Sequence, residues 1–401
     1  MTPLFRKFLS MNWLMTLFIA GMLTFGVYSI YSAGFGDPDF SSKWSEQLKM
    51  VIFGGFIYFG LALFDYRWIR WVALPGWIVS IILLTMTNVT MGGSTSWLKI
   101  GGFQFQPSQA AIFTTILMLA LILSELPKVH KFFNVPIVKI ALSGMVIVVP
   151  LYLIMNEPDI GSAAVICTVL AVLLVGAGIP FRYLISMTLI TLTIIPVLYF
   201  FGMKPYQKVR IETWIKTITN QEVDTRNEGY SITNNMTAIG SAGFDGKGFN
   251  GERAEGVRTI KELGLIPRNV AINDFIFTVI AEEHGFRGAS TLIIAFGLLL
   301  LQLLLIAYSS RDLFGRLIVI GLGAQIFFHA FMNMGMCIGA VPITGLPLPL
   351  ISYGGTFVII LLTLFGLAQS VWVHRHVRPE EVEEEQEDIG YFSSPHTSTA
   401  I

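Results

Sequence analysis

Asp274 stands between Ala271-Ile272-Asn273 and Phe275-Ile276-Phe277, at the edge of an apolar stretch that leads on through Glu282 and Glu283. Aromatic neighbours withdraw water from a carboxyl group, raise its proton affinity and suit it to general-base work. Asp is equally favoured as a helix N-cap, with Glu282 and Glu283 then facing polar surroundings, and the residues alone leave both readings open. A second pair of acids, Glu157 and Asp159, brackets Pro158 in Asn156-Glu157-Pro158-Asp159-Ile160-Gly161. Two acids in so short a turn suit a divalent cation or a basic partner residue. They equally suit a helix start, with proline in the first turn and negative charge at the N-terminal end of the dipole. A third segment, Pro342 to Gly355, sets three prolines and three glycines among apolar residues. It cannot be a continuous helix, yet it is too apolar for a free loop.

The elements that position these residues follow from composition. Of the 401 residues, 54% are hydrophobic and 13% charged, about half the charge of an average soluble domain. The apolar residues come in runs of about twenty, the length that crosses a bilayer. Spans are predicted at about 12–33, 47–65, 69–89, 107–125, 137–155, 160–178, 183–202, 288–309, 317–339 and 354–374. The first is too long for a signal-peptide core and reads as a retained span. The expectation is an all-α integral membrane protein, a bundle of about ten transmembrane helices. At such depth non-helical backbone persists only where protein packs it or where it lines a cavity. The 342–355 segment is therefore either a re-entrant cavity wall or a structural cap.

Basic residues set the orientation, because short cytoplasmic loops retain them. With the N-terminus inside, twelve Lys and Arg fall in inner loops and only Lys43, Lys49 and Lys99 in short outer ones. Both termini are then cytoplasmic, and one large extracytoplasmic loop covers about 203–287. Within it, Val209, Ile211, Trp214, Ile215 and Ile218 recur at helical spacing among charged residues, the pattern of a helix lying in the membrane interface. The stretch from Ile239 to Gly251 is rich in glycine, which admits close backbone approach. The expectation is a membrane domain over residues 1–379 and, over 380–401, an acidic, disordered cytoplasmic tail with seven acids between Glu380 and Asp388. Zero net charge gives no field for nucleic acid. Cys167 and Cys337 lie in apolar runs and suggest neither a disulfide nor a metal site. No phosphate loop, zinc spacing or nucleophile elbow is present in the sequence. His329, Gln325 and Asn333 are the polar residues inside spans, where a packing histidine and a proton-relay group are both readings of His329.

These motifs resemble the SEDS family (shape, elongation, division and sporulation) over essentially the whole chain. The most specific match is Met332-Asn333-Met334-Gly335-Met336 with Pro342-Ile343-Thr344-Gly345-Leu346-Pro347-Leu348-Pro349 and Ile351-Ser352-Tyr353-Gly354-Gly355. Asn156 to Ala163 resembles the family's acidic proline turn. Gln207 to Ile211, Gly229-Tyr230, Ile239 to Gly243 and Gly246-Lys247-Gly248 resemble its large outer loop, with the Gly-Lys-Gly form leaning to the RodA rather than the FtsW branch. Asp274 with Phe275-Ile276-Phe277 and Glu282-Glu283-His284-Gly285 resembles its catalytic aspartate region.

The resemblance implies a peptidoglycan glycosyltransferase in the bacterial inner membrane, with an active site facing outward. It would polymerise lipid II during elongation and shape maintenance, with inversion and a polyprenyl pyrophosphate leaving group. It makes Asp274 the general base. Lys99, Arg210 and Lys247 become candidates for the pyrophosphate, and Trp97, Gln109, Glu157, Asp159, Glu282, Glu283 and Ser352 further substrate-binding candidates. It implies no organic cofactor, leaves a divalent cation open, and makes a class B penicillin-binding protein in an elongation or division complex the partner. Three departures stand out: Ser96 precedes Trp97 where the family has Arg, Gln109 and Ile112 replace Glu and Lys, and Pro267 to Asn273 is two residues longer. They are either a compensated rewiring or a weakening of the enzyme. A lipid-precursor flippase and a non-catalytic scaffold for a transpeptidase are the alternatives from other classes.

Overall fold

The structure is a computed structural model, described here for residues 3–375 apart from 88, 92–93, 101–102, 158, 198, 201–202, 204, 220, 222–227, 250–258, 260–262 and 266–267. The acidic tail and Pro158 lie outside the described residues. After a short α1 (Pro3–Leu9), apolar helices follow as α2 (Trp13–Gly34), α3 (Lys43–Leu63), α4 (Ile69–Thr85), α5 (Pro107–Val129), α6 (Pro136–Asn156), α7 (Ile160–Gly176) and α8 (Phe181–Val197). The polar middle of the chain holds α9 (Pro205–Ile218), α10 (Glu228–Ser241) and α11 (Arg268–Asn273), and the chain closes with α12 (Ile276–Ser309), α13 (Leu313–Cys337) and α14 (Gly355–Val373). Eight of these helices are long and apolar enough to cross a membrane, and α7 and α8 are shorter apolar helices.

Helix starts follow local chemistry. Asn12 accepts from Met15 N at 3.0 Å at the start of α2, Pro107 and Pro136 stand in the first turns of α5 and α6, and Asp159 accepts from Ser162 N at 3.0 Å to cap α7. Between helices, glycine replaces the hydrophobic effect as the means of close packing, since lipid is as apolar as any side chain. A Cβ on Gly54 of α3 would lie 2.6 Å from Leu362 Cδ1 of α14, and one on Gly321 of α13 would lie 2.6 Å from Ile116 Cγ2 of α5.

Two features depart from the expected elements. Residues 89–105 form a three-stranded antiparallel sheet, β1 (Val89–Met91), β2 (Ser94–Ile100) and β3 (Phe103–Phe105), with Lys99 paired to Gln104. The predicted span over 288–309 starts twelve residues earlier, at Ile276, and breaks at Gly285, where φ is 62° and ψ −160°. The second segment, Phe286 to Ser309, is long enough at about 36 Å to cross a bilayer by itself.

Candidate active site

Asp274 lies in the two-residue gap between α11 and α12. Its N–H and that of Phe275 both donate to Val270 O, at 2.9 and 3.0 Å, which ends α11 in a tight turn. The N-cap of α12 is Phe275 and makes no side-chain cap bond, so Asp274 is not that cap. The turn is clamped by the irregular 342–354 segment. Ser352 Oγ donates to Asn273 O at 2.5 Å and accepts from Leu348 N at 2.8 Å, and Tyr353 N donates to Ile272 O at 2.9 Å. From α13, Asn333 Nδ2 donates to both Asp274 O and Leu346 O at 2.8 Å. One buried amide thus ties the aspartate's backbone to the loop. Gly345, at φ +71°, brings the loop within 3.7 Å of Asp274 Oδ2, measured from the Cβ position it leaves empty. The 342–355 segment is therefore both a packed cap and the wall of the aspartate's surroundings.

Among the described residues no hydrogen-bond donor reaches the Asp274 carboxylate. Burial pushes its pKa up to about 6, opposed by the Arg210 guanidinium and assisted by the negative charge of Asp159. A carboxylate held in this range is ionised at neutral pH yet basic enough to accept a proton from a hydroxyl during a reaction.

The charged neighbours come from three separate elements. Arg210, on α9, lines a small cleft with Thr213, Ile232 and Ile343, and Trp214 one turn later donates to Gly339 O at 3.0 Å. These contacts lay the predicted interface helix across the end of the bundle. Asp159 accepts from Ser162 Oγ at 2.7 Å and from Gln106 Nε2 and Ser108 Oγ at 3.3 Å. Its neighbour Gly161 packs on Leu346 and Thr344 O, so the acidic turn and Asp274 share one loop. Glu157 is buried beside it. Gln109, fully buried in the first turn of α5, has neither amide atom hydrogen-bonded among the described residues. Trp97 is half-buried on β2, which also carries Lys99; the Lys99 side chain lies outside the described residues.

Glu282 and Glu283 are buried rather than turned to a polar surface. Lys247 Nζ meets Glu282 Oε1 at 2.7 Å, and Ser32 Oγ of α2 donates to Glu283 Oε1 at 2.5 Å. The break at Gly285 makes this arrangement. Lys247 N and Gly248 N donate to Glu282 O and Glu283 O at 2.8 and 3.0 Å, while Phe286 N and Arg287 N donate to Gly243 O and Phe244 O at 3.0 and 3.2 Å. The glycine-rich loop thereby satisfies the backbone groups that the break exposes. Gly246 and Gly285 meet back to back: a Cβ on either would lie 2.3 Å from the other segment's backbone.

Ser32 is not recognisable as a site feature in the sequence, its only signal being a small side chain on the buried stripe of an apolar helix; Asn333 stands out there as a polar residue inside a span, but its two carbonyl partners do not. Among the described residues, no cluster of three or more His, Cys, Asp or Glu is arranged to hold a metal ion.

Comparison with known proteins identifies the family. Residues 9–377 match the FtsW, RodA and SpoVE family of cell cycle proteins. The peptidoglycan glycosyltransferase MrdB of Escherichia coli strain K12 is 30% identical over 376 residues, spanning 92% of this chain and 95% of that protein. A probable peptidoglycan glycosyltransferase FtsW of Geobacter sp. strain M18 is 31% identical, spanning 89% and 96%. Among solved structures, a chain from a study of how a peptidoglycan synthase complex coordinates polymerization and crosslinking superposes with a TM-score of 0.75, at 25% identity, covering 92% of this chain and 99% of that one. The rod shape determining protein RodA of Thermus thermophilus gives a TM-score of 0.64 at 26% identity, covering 92% and 98%. The chain therefore belongs to the FtsW, RodA and SpoVE family, the SEDS proteins.

Proposed function

We propose that this protein is a peptidoglycan glycosyltransferase that polymerises lipid II, with Asp274 as its general base. The observation that carries the reading is the Asp274 carboxyl itself: backbone-clamped on both sides, without a donor among the described residues, and raised to about 6. In the proposed step the carboxylate takes the proton of the acceptor sugar's 4-hydroxyl. The new O–C1 bond forms as the donor's C1–O bond to the pyrophosphate breaks, with inversion at C1. The bonding pair leaves with the polyprenyl pyrophosphate. Arg210, the cation felt most strongly at Asp274, is placed to offset the charge that develops on the departing pyrophosphate.

Lys247 and Lys99 remain candidates for the same role, and Trp97, Gln109, Glu157, Asp159, Glu282, Glu283 and Ser352 for binding substrate. The Asp274 end of the bundle faces outward from the inner membrane in this reading, where a lipid-tethered sugar reaches it. The partner is a class B penicillin-binding protein in an elongation or division complex, in keeping with the neighbour structure, a peptidoglycan synthase complex that coordinates polymerization and crosslinking. Purified protein with lipid II should form glycan strands, and Asp274→Ala and Asp274→Asn should each lose about a hundredfold to ten-thousandfold in rate, the range for a general base. Equal activity in all three would remove Asp274 from the chemistry.

A further inference from the structure

The segment that grips the Asp274 turn is itself irregular and strained. Leu350 sits at φ 65°, a left-handed conformation that a branched side chain keeps only where its surroundings over-determine it. From there to the start of α14 the backbone follows no helix or strand, so its polar groups need partners from elsewhere. Those partners come from α3. Gln47, in the second turn of that helix and only 2% exposed, donates from Nε2 to Ser352 O at 3.3 Å and accepts at Oε1 from Gly354 N at 3.2 Å. Its donor faces a carbonyl and its acceptor an N–H, which fixes the direction of the amide. Neither Ser352 O nor Gly354 N has another hydrogen-bond partner among the described residues. On the same turn of α3, Glu46 Oε2 accepts from Tyr353 Oη at 2.6 Å.

We infer that Gln47 is a positioning residue for the polymerisation reaction, fixing residues 352–354 and, through them, the turn that carries Asp274. The inference rests on the proposed function and extends its site to α3. Tyr353 lies between the two groups that Gln47 holds, and its own N–H donates to Ile272 O at 2.9 Å. Ser352 Oγ donates to Asn273 O at 2.5 Å. Asp274 is the next residue, so any drift of 352–354 is passed to it directly. Asn333 grips the other end of the segment by bonding both Asp274 O and Leu346 O, and the aspartate's backbone is thus referred to α13 on one side and to α3 on the other.

An anchor positions only if it stands on something rigid. Beneath the Gln47 amide, α3 and α14 approach closely enough that a Cβ on Gly355 would lie 3.1 Å from Met50 Cγ, and one on Gly366 would lie 2.9 Å from Tyr58 O. Packing this dense transmits displacement rather than absorbing it. A base moved by about 1 Å from the hydroxyl it serves loses about a hundredfold in rate, so two hydrogen bonds outside the reacting groups are enough to matter.

The test uses the full chain in nanodiscs with lipid II. Gln47→Met keeps the bulk of the side chain and removes both bonds. Its kcat per folded molecule should fall about a hundredfold, with KM for lipid II changed by less than about threefold. Ser352→Ala breaks the next link of the same path, so the two losses should overlap, leaving the double variant within about threefold of the slower single one. Amide exchange read by peptide mass spectrometry needs no turnover: the Tyr353, Asp274 and Phe275 amides should exchange about tenfold faster in Gln47→Met, with α5 unchanged. Should that variant fold poorly, Gln47→Asn, an amide one methylene too short to bridge both groups, carries the same expectations. Wild-type kcat per folded molecule, a loss carried by KM, losses that multiply in the double variant, or unchanged exchange at Tyr353 and Asp274 would each overturn the inference. Faster exchange at those amides in Gln47→Met, beside a wild type that forms no glycan strands, would defeat the proposed function alone.

Discussion

Asp274 and Asp312 are the same residue at opposite ends of α13, and the fold treats them oppositely. Asp312 caps α13 by accepting from Gly315 N at 3.2 Å, takes the Tyr66 hydroxyl at 2.5 Å and pairs with Arg70 at 2.8 Å. Asp274 has its backbone held by Asn333, while its carboxylate lacks a donor among the described residues and feels the negative charge of Asp159. A carboxylate surrounded by donors is spent on stability. One whose position is fixed but whose charge is left unsatisfied gives up stability for basicity, as functional sites do.

The comparison is broken most sharply by removing each carboxylate's charge. Asp274→Asn should abolish most polymerisation while raising the melting temperature at neutral pH. The sign follows from linkage: a carboxyl raised in the folded state is ionised at a cost to folding above about pH 6, and that cost disappears as pH falls toward the ordinary carboxyl range. The variant's thermal advantage should therefore shrink on acidification. Thermal unfolding across pH checks this, and an unchanged or lowered melting temperature at neutral pH would show that Asp274 is not under strain.

Next in size is the Lys247 and Glu282 pair, whose side chains are only 15% and 3% exposed. Lys247→Ala removes the cation that Glu282 meets at 2.7 Å and should cost roughly 3–5 kcal/mol. Lys247→Met with Glu282→Leu should recover most of that stability. If the double variant also recovers polymerisation, Lys247 serves the fold; if it folds but stays inactive, Lys247 or Glu282 serves the substrate. Gly285→Ala, which drives a Cβ into the Gly246 backbone at a positive φ, should cost about 2–4 kcal/mol. Its effect on rate should exceed that of an equally destabilising substitution at the other end of the bundle. The smallest effect belongs to Asp312→Asn. Its ion pair with Arg70 is about a quarter exposed on each side and so is weakly held. The variant should lose about 1 kcal/mol, mostly through the cap, with polymerisation per folded molecule unchanged.

Sequence pattern reveals the membrane helices because apolar runs report burial in lipid directly. The start of α12 escapes that pattern. Glu282, Glu283, His284 and Arg287 lower the hydropathy of its first turns, and only the tertiary contact with residues 243–248 shows how buried acids are accommodated there. The sheet at 89–105 was hidden for a related reason: its strands are short, and Val89 and Met91 extend the apolar pattern of α4. The glycine pairs at 92–93 and 101–102 were its available turn signals. Helix α10 carries Asn234, Asn235 and two glycines, poor helix formers, and forms because Ile232, Asn235 and Ala238 on one side are buried. Asp274 was legible from its aromatic flanks. Its lack of donors was not, because that depends on Gly345 and Asn333, some 60 to 70 positions away in the chain.

The central claim is that Asp274 is a base made basic by its surroundings, and the pH dependence of kcat/KM for lipid II polymerisation tests it most directly. The account predicts an ascending limb centred near pH 6, following the raised carboxyl, that is absent from the residual activity of Asp274→Asn. A limb near pH 4, or the same limb in wild type and Asp274→Asn, would contradict it.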